Sequence, residues 1–136
     1  MIINGKEIGV GHTASEQREV TLDAIRQYAE ISGDFNPVHL DEEYAAQSFF
    51  GGRIAHGLFC LGMISKIVGT EMPGIGSIFL NERIDYKNPA YLGDTITTEI
   101  KVLEIKEEKK ILNLGINCTN QNGQVILCGT TLVKMV

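Results

Sequence analysis

Residues 57 to 69, GLFCLGMISKIVG, form a segment that is apolar on nearly every side when it is drawn as a helix. Such a helix is stable only if other elements cover most of its surface. The second half of the chain supplies suitable elements, because it contains four runs rich in Ile, Val, Leu and Thr, which are typical of β-strands. We therefore predict a sheet that wraps around one buried helix, with strands at Ser77 to Tyr86, Thr95 to Ile105, Ile111 to Thr119 and Val125 to Val133.

The connections between these strands favour antiparallel pairing. The second and third runs are separated by KEEKK, and the third and fourth by the segment Asn120 to Gly123, and both links are typical of hairpins. Long antiparallel strands around a central helix describe an α+β hot-dog fold. The alternative is a general α+β roll, in which the helix lies on one face of the sheet. With 136 residues, the chain is expected to form a single domain, residues 1–136.

The N-terminal half is predicted to contain shorter elements. An edge strand is expected from Glu16 to Val20, and Thr21 then has the residue type of a helix N-cap. This helix is expected to end at Gly33. Asp41 is expected to cap a second short helix, DEEYAAQ. The apolar positions of the first helix, all expected to face inward, are Ile25, Tyr28, Ala29 and Ile31.

Composition and charge exclude several kinds of partner. The formal net charge is −5 and the chain has no run of basic residues, so a nucleic-acid partner is not expected. The longest apolar stretch, Ile54 to Val68, is interrupted by His56 and Lys66, and the chain begins without the features of a secretory signal. Neither membrane spanning nor secretion is therefore expected. Three cysteines in apolar runs fit reduced thiols, which predicts a cytoplasmic protein with no metal site.

The segment SGDFNPVHLD, residues 32 to 41, combines a carboxylate and an imidazole that are five positions apart. Pro37 lacks an N–H group and is expected to prevent a helix here, which leaves an irregular loop. Such a loop can turn Asp34 and His39 toward one point, where they can share a water molecule. The alternative interpretation is ordinary turn chemistry, with Asp34 as a capping residue and His39 as a hydrogen-bonded surface residue.

This segment, together with IAHGLFCLGMISKIVG and GSIFLNERIDYKNPAYLGDTI, resembles the MaoC-like or hydratase-2 family, in particular the short R-specific enoyl-CoA hydratases. The resemblance implies a hydro-lyase that adds water reversibly to a trans-2-enoyl-CoA and yields the R-3-hydroxyacyl-CoA. It implies that Asp34 and His39 hold the reacting water. It also implies that the backbone N–H of Gly57 polarises the thioester carbonyl and that Ser65 lines the same site. No cofactor is implied, because coenzyme A is part of the substrate.

Elementary chemistry agrees with these implied roles. Addition of water to an enoyl thioester places negative charge on the carbonyl oxygen, and a donor at a helix N-terminus stabilises that charge. Gly57 is expected at such a position, and its missing Cβ lets the thioester approach closely. Which of Asp34 and His39 accepts the first proton stays open. His56 is expected to support the site through a hydrogen bond to the loop that carries the pair.

Further substrate contacts are predicted with less support from the motif. Gly76 and Ser77 are implied by the resemblance to lie near the pantetheine path. Arg83 and Lys87 are candidates for binding the phosphates of coenzyme A, and the alternative is that they are solvated charges on a strand. Val68 is expected to form the floor of the acyl pocket, which favours short chains of about four to six carbons.

One residue departs from the family pattern, because Arg53 stands where the family usually has a proline. Arg53 either contacts a phosphate or has no role in binding. A homodimer is also expected, since a small sheet would otherwise leave a long hydrogen-bonding edge exposed, and the family joins two sheets into one.

Two other classes of protein share the predicted fold. Hot-dog thioesterases and acyl-carrier-protein dehydratases place a carboxylate on the central helix, whereas the segment Leu58 to Gly69 contains no Asp or Glu. A non-catalytic acyl-binding module would have no need of Asp34 and His39 in one loop. Turnover of crotonyl-CoA distinguishes such a module from a hydratase.

Overall fold

The computed structural model describes all 136 residues, and most of them belong to a five-stranded antiparallel sheet and the helices beside it. The strand at one edge of the sheet is the first long strand of the chain, and the strand at the other edge is the one that follows the central helix. The elements in chain order are β1 (Ile2–Ile3), β2 (Lys6–Glu7), β3 (Thr13–Glu19), α1 (Leu22–Ser32), α2 (Pro37–Leu40), α3 (Glu42–Gln47), α4 (Gly57–Thr70), β4 (Ser77–Tyr86), β5 (Thr95–Lys106), β6 (Ile111–Thr119) and β7 (Val125–Met135).

The strand order in the sheet is β3, β5, β6, β7, β4, and every neighbouring pair is antiparallel. The predicted hairpins from β5 to β6 and from β6 to β7 are confirmed, and a short 3-10 turn, Glu107–Lys109, makes the first of them. Because β4 pairs with β7, the link from β4 to β5 crosses from one edge of the sheet toward the other. The separate two-stranded sheet of β1 and β2 precedes this core.

The core lies between the sheet and α4. The helix packs against β3, β4 and β5, and the strands present every second residue to it, as the two-residue period of a β-strand requires. In β5 the buried residues are Ile96, Thr98, Ile100 and Val102. The buried residues of α4 are Cys60, Met63, Ile64, Ile67 and Val68.

One face of α4 is uncovered, although the sheet wraps around the rest of the helix as predicted. Leu58, Gly62 and Ser65 are exposed, and 57% of Leu58 remains accessible. These residues recur at helical spacing on the side opposite the buried set. The helix contacts both edge strands, β3 and β4, as well as β5, so the sheet curves around it and leaves this face open within a single chain.

The first helix forms largely as predicted. The Thr21 hydroxyl accepts from the N–H of Ala24 at 3.1 Å, and Gly33 ends α1 with φ at 77°, a left-handed conformation that glycine adopts without strain. Two details of the prediction are wrong. The edge strand is Thr13–Glu19 and not Glu16 to Val20, and Ile31 is 86% exposed because the buried stripe of α1 runs through Ile25 and Ala29.

The segment after Asp34 corrects the expectation that Pro37 prevents a helix. Residues Pro37–Leu40 form one helical turn, α2, with the proline as its first residue. At that position the missing N–H costs nothing, because the first N–H groups of a helix have no intrahelical partner. Asn36 is extended, as the following proline requires, and its side chain caps the turn by accepting from the N–H of Val38 at 3.2 Å.

The two edges of the main sheet differ in character. The outer strand β3 has the sequence TASEQRE, whereas the opposite edge strand β4 exposes four large apolar side chains. These four are Ile78, Phe79, Leu80 and Tyr86. No helix of the chain is both long and apolar enough to cross a membrane.

Candidate active site

The turn between α1 and α2 positions Asp34 through a series of local hydrogen bonds. The Ser32 hydroxyl accepts from the N–H of Asp34 at 3.1 Å and donates to the carbonyl of Tyr28 at 2.7 Å. The Oδ1 atom of Asp34 accepts from the N–H of Asn36 at 3.1 Å, which is an Asx-turn. The carboxylate thus has one oxygen committed to the backbone, and its second oxygen, Oδ2, is free.

His39 lies on α2 and is buried, with its ring fixed by the chain that follows. Its Nδ1–H donates to the carbonyl oxygen of Ile54 at 2.7 Å. Because a carbonyl oxygen can only accept, Nδ1 carries the hydrogen, and Nε2 of the neutral ring is an unprotonated acceptor. This Nε2 atom lies 4.0 Å from Oδ2 of Asp34, so the predicted pair does converge on one point.

The environment of His39 favours its neutral form. Burial is the largest influence and lowers the pKa of His39 below the usual 6.5. The Ile54 carbonyl and the Asp34 carboxylate act in the opposite direction, and a positive charge on His56 would lower the pKa further. At neutral pH the ring is therefore a proton acceptor facing a carboxylate.

His56 is buried directly beside the pair. Its ring stacks on the ring of His39, with centroids 3.9 Å apart and an interplanar angle of 27°, and it contacts the ring of Tyr28 at 4.6 Å. Its Nε2–H donates to the backbone carbonyl of Asp34 at 2.9 Å. The expected hydrogen bond from His56 to the loop with the pair is therefore confirmed.

Asp34, His39 and His56 each have an atom of the kind that ligates metals, and these atoms lie within 4.8 Å of one another. The ring geometry does not favour a shared ion. The lone pairs of an imidazole lie in its ring plane, and two stacked planes only 27° apart are poorly suited to direct them at one ion, whereas a metal needs lone pairs that converge on it. One nitrogen of each ring is also already engaged as a donor to a carbonyl.

Gly57 is the first residue of α4 and follows His56 directly. Its N–H has no acceptor within the chain, as expected for the first turn of a helix. A Cβ on this residue would meet Cε1 of Tyr86 at 3.1 Å, which is closer than ordinary packing allows. A larger residue would crowd Tyr86, and the site offers a free N–H at the positive end of a helix.

A cavity of about 360 Å³ opens beside this N–H. Lys87 lines it, and the predicted contact of this residue with the phosphates of coenzyme A stays a prediction. Several other residues that line the cavity were not predicted from the sequence, among them Phe49, Phe50 and Tyr86. The adjacent aromatic pair before Gly51 was the available signal for two of them, whereas Tyr86 lies at the end of a strand and gives none.

Cys60 also lines this cavity, one helical turn beyond Gly57. Burial raises the pKa of the Cys60 thiol to about 12. Since the thiolate is the nucleophilic form of cysteine, Cys60 is inert at neutral pH. Cys118 is buried as well, and Cys128 is half-buried, so all three cysteines are free thiols within the fold.

The remaining predicted contacts do not line the cavity at Gly57. Ser65 is exposed on the uncovered face of α4, about 12 Å along the helix from Gly57. Val68 is buried, and its carbonyl accepts from the Ser77 hydroxyl at 2.9 Å. Gly76 is half-buried before β4, with φ at 94°.

Two of the predicted cations do not line the cavity at Gly57. Arg83 is exposed on β4 and Arg53 is half-buried. The backbone carbonyl of Arg53 accepts from the N–H of Leu92 at 3.0 Å, which attaches this segment to the connection before β5. Their predicted contacts with coenzyme A stay predictions.

Comparison with known proteins assigns the family. The family model described as MaoC like domain matches residues 4–120, which is most of the chain. The fold and the convergence of Asp34 and His39 agree with this match. The chain belongs to the MaoC-like family.

Two relatives and one solved structure are similar over nearly the whole chain. A 3-hydroxybutyryl-CoA dehydratase of Methylorubrum extorquens is 35% identical, with 96% of this chain and 82% of the relative covered. An (R)-specific enoyl-CoA hydratase of Rhodospirillum rubrum is 36% identical, with 96% and 90% covered. The structure of the (R)-hydratase from Aeromonas caviae superposes with a TM-score of 0.92 at 32% identity, covering 96% of this chain and 99% of that one. This agreement confirms the predicted hot-dog fold.

Proposed function

We propose that this protein is an R-specific enoyl-CoA hydratase, a hydro-lyase that adds water reversibly to trans-2-enoyl-CoA. The observation that carries the proposal is the pair of free acceptor atoms, Oδ2 of Asp34 and Nε2 of His39, held 4.0 Å apart. His56, which stacks on His39, leads directly into Gly57 and its free N–H. The similarity to an enoyl-CoA hydratase and a 3-hydroxybutyryl-CoA dehydratase supports it.

The spacing of the two acceptors suits a single water molecule. With hydrogen bonds of about 2.8 Å, a water between atoms 4.0 Å apart donates to both of them at an angle near a right angle. Both hydrogens are then directed at Asp34 and His39, and the lone pairs of the oxygen point away from the protein. The water is held as a nucleophile.

The reaction uses this water and the helix terminus together. The water oxygen forms a bond to C3 while one of its O–H bonds breaks, and that proton passes to the pair. The charge that moves to the thioester oxygen is stabilised by the Gly57 N–H and the positive end of α4. Return of the proton from the pair to C2 completes a syn addition, because one pair serves one face of the double bond. The same steps in reverse give dehydration.

Coenzyme A enters as part of the substrate, and no separate cofactor is proposed. The cavity at Gly57 leads past the Lys87 side chain, and an ammonium group there suits a phosphate or a polar part of the pantetheine arm. Val68 is proposed as the floor of the acyl pocket, with a preference for short chains of about four to six carbons by volume. Three free cysteines support a proposed cytoplasmic location.

A homodimer is proposed as the active form. The exposed apolar side chains of β4 lie along an unpaired strand edge, and the uncovered face of α4 exposes a further large apolar side chain, Leu58. Pairing two β4 edges would join the sheets of two copies and remove an edge that is prone to aggregation.

The alternative functions have less support from the site. No Asp or Glu occurs within α4, so the carboxylate that hot-dog thioesterases place on this helix is missing. A non-catalytic acyl-binding module would need the cavity but not the converging pair. Purified protein should hydrate crotonyl-CoA, and chiral chromatography of the released acid should give the R-3-hydroxy product. Absence of turnover, or an S product, contradicts the proposal.

A further inference from the structure

We infer that His56 is a positioning residue, which fixes Asp34 and His39 relative to the N–H of Gly57. This inference rests on the proposed hydratase function. His56 is 3% exposed and connects three parts of the site. Its Nε2–H donates to the main chain of Asp34, its ring lies on the ring of His39, and its own peptide leads into Gly57.

The position of His56 in the chain is unusual for its residue type. It is the N-cap of α4, a position that favours Ser, Thr, Asp and Asn because their side chains accept from the first free N–H groups. The His56 side chain makes no such capping bond and turns toward Asp34 instead. The helix terminus is therefore left open for a substrate oxygen, where a conventional cap would compete with it.

The hydrogen bonding of the two ring nitrogens of His56 indicates a positioning role and not only a packing role. The partner of Nε2 is a carbonyl, so Nε2 carries the hydrogen and Nδ1 is a bare acceptor. Nδ1 is buried without a hydrogen-bond partner. Burial of an unpaired acceptor costs stability, and an apolar ring would pack against His39 and Tyr28 without that cost. The donor at Nε2 is thus the feature that only a polar side chain supplies.

Two substitutions at His56 test the N–H donor and the aromatic ring separately. His56→Phe keeps an aromatic ring but removes the N–H to Asp34, and His56→Gln keeps a side-chain N–H at a similar reach but removes the ring. We expect kcat for crotonyl-CoA hydration to fall about tenfold or more in His56→Phe, with KM changed less than about twofold, because the water is held less well while substrate binding is intact. His56→Gln should retain kcat within about threefold.

A control tests packing around the same ring. Tyr28→Leu removes the other aromatic neighbour of His56 and leaves the hydrogen bond to Asp34 in place. This variant should keep kcat close to the original value. If Tyr28→Leu lowers kcat as much as His56→Phe, or if His56→Gln is no better than His56→Phe, the role of His56 is packing and the inference is wrong. If His56→Phe does not fold, His56→Leu replaces it in the same comparison with His56→Gln.

The tautomers provide a readout that does not depend on activity. Nitrogen NMR of the protein should show hydrogen on Nε2 of His56 and on Nδ1 of His39, and the opposite tautomer of His56 overturns the inference. An inactive original protein with these tautomers would count against the hydratase proposal alone. An active protein whose His56→Phe variant retains full kcat would count against the role of His56 alone.

Discussion

The imidazole of His39 faces the carboxylate of Asp34 with a gap that is too wide for a direct hydrogen bond, 4.0 Å between Nε2 and Oδ2. Each residue has its other polar atom bound to the backbone: Nδ1 to Ile54 and Oδ1 to Asn36. The two free atoms are therefore fixed acceptors with room for one water between them. This gap distinguishes a water-holding pair from an ion pair.

The pH dependence of the reaction should follow the neutral form of His39. Burial lowers its pKa, so the ring stays unprotonated below the usual value of 6.5 and gains a proton only in more acidic solution. The acidic limb of kcat/KM for crotonyl-CoA hydration is expected to have its midpoint below 6.5. A midpoint above pH 7 would show that protonated His39 is the working form, or that another group controls the rate.

Stability should depend on pH in the same sense. Because the folded pKa of His39 lies below the unfolded value, the unfolded chain binds more protons, and the free energy of unfolding contributed by this residue is fully present above 6.5 and decreases as pH falls below it. Urea unfolding of His39→Asn, compared with the original protein at neutral and acidic pH, measures this contribution. The variant should show a smaller loss of stability on acidification.

Substitution of Gly57 by alanine should impair the reaction more than the fold. The added Cβ would lie 3.1 Å from Cε1 of Tyr86 and would project beside the N–H that binds the thioester oxygen. We expect kcat/KM to fall at least about tenfold, as for loss of an oxyanion contact. Gly69→Ala on the same helix is the control, because a Cβ there has no atom within 4 Å. Equal kinetics for Gly57→Ala and the original protein would remove Gly57 from the mechanism.

A charge on the apolar edge strand should separate the proposed dimer. Leu80 is 47% exposed on β4, at the irregularity between Phe79 and Asn81, and Leu80→Lys would bury an ammonium group at the interface. Analytical ultracentrifugation should show a dimer for the original protein and a monomer for this variant. Thr13→Lys on the polar edge β3 should leave the dimer intact. An active monomer of the original sequence would contradict the proposal.

Truncation of Val68 tests the proposed acyl pocket. Val68→Ala should shift the ratio of kcat/KM values toward enoyl-CoA substrates longer than about six carbons, since the smaller side chain deepens the proposed pocket. Val102→Ala is a matched control, because Val102 is equally buried but lies on β5. Both changes should lower stability by about 0.5–2 kcal/mol as small core truncations. An unchanged chain-length profile in Val68→Ala would show that Val68 does not form the floor.

The sequence predicted the parts of the fold that have a strong local pattern. The apolar run of α4, the long strands and the caps at Thr21 and Asp41 were identified, because period, composition and cap chemistry agree at each of them. The helical turn at Pro37 was missed. A proline there interrupts a longer helix but is compatible with the first position of a new one, and the pattern alone does not separate these cases.

The site was predictable only in part, for a related reason. Asp34 and His39 lie within one short segment, so local chemistry brings them together. The stack of His56 on His39 and the approach of Tyr86 to Gly57 depend on residues that are far apart in the chain. The exposed face of α4 was also unexpected, because an apolar helix gives the same signal whether the sheet or a second copy covers it.

The most direct test of the central claim, that Asp34 and His39 act on one water, is a double-mutant cycle on kcat for crotonyl-CoA hydration. Asp34→Asn keeps an oxygen for the Asn36 N–H, and His39→Asn keeps a donor near the Ile54 carbonyl, so both variants should fold. Each should lower kcat by about a hundredfold or more, and the double variant should be barely worse than either, because loss of one partner already releases the water. Near-normal kcat in Asp34→Asn, or two losses that multiply, would contradict the claim.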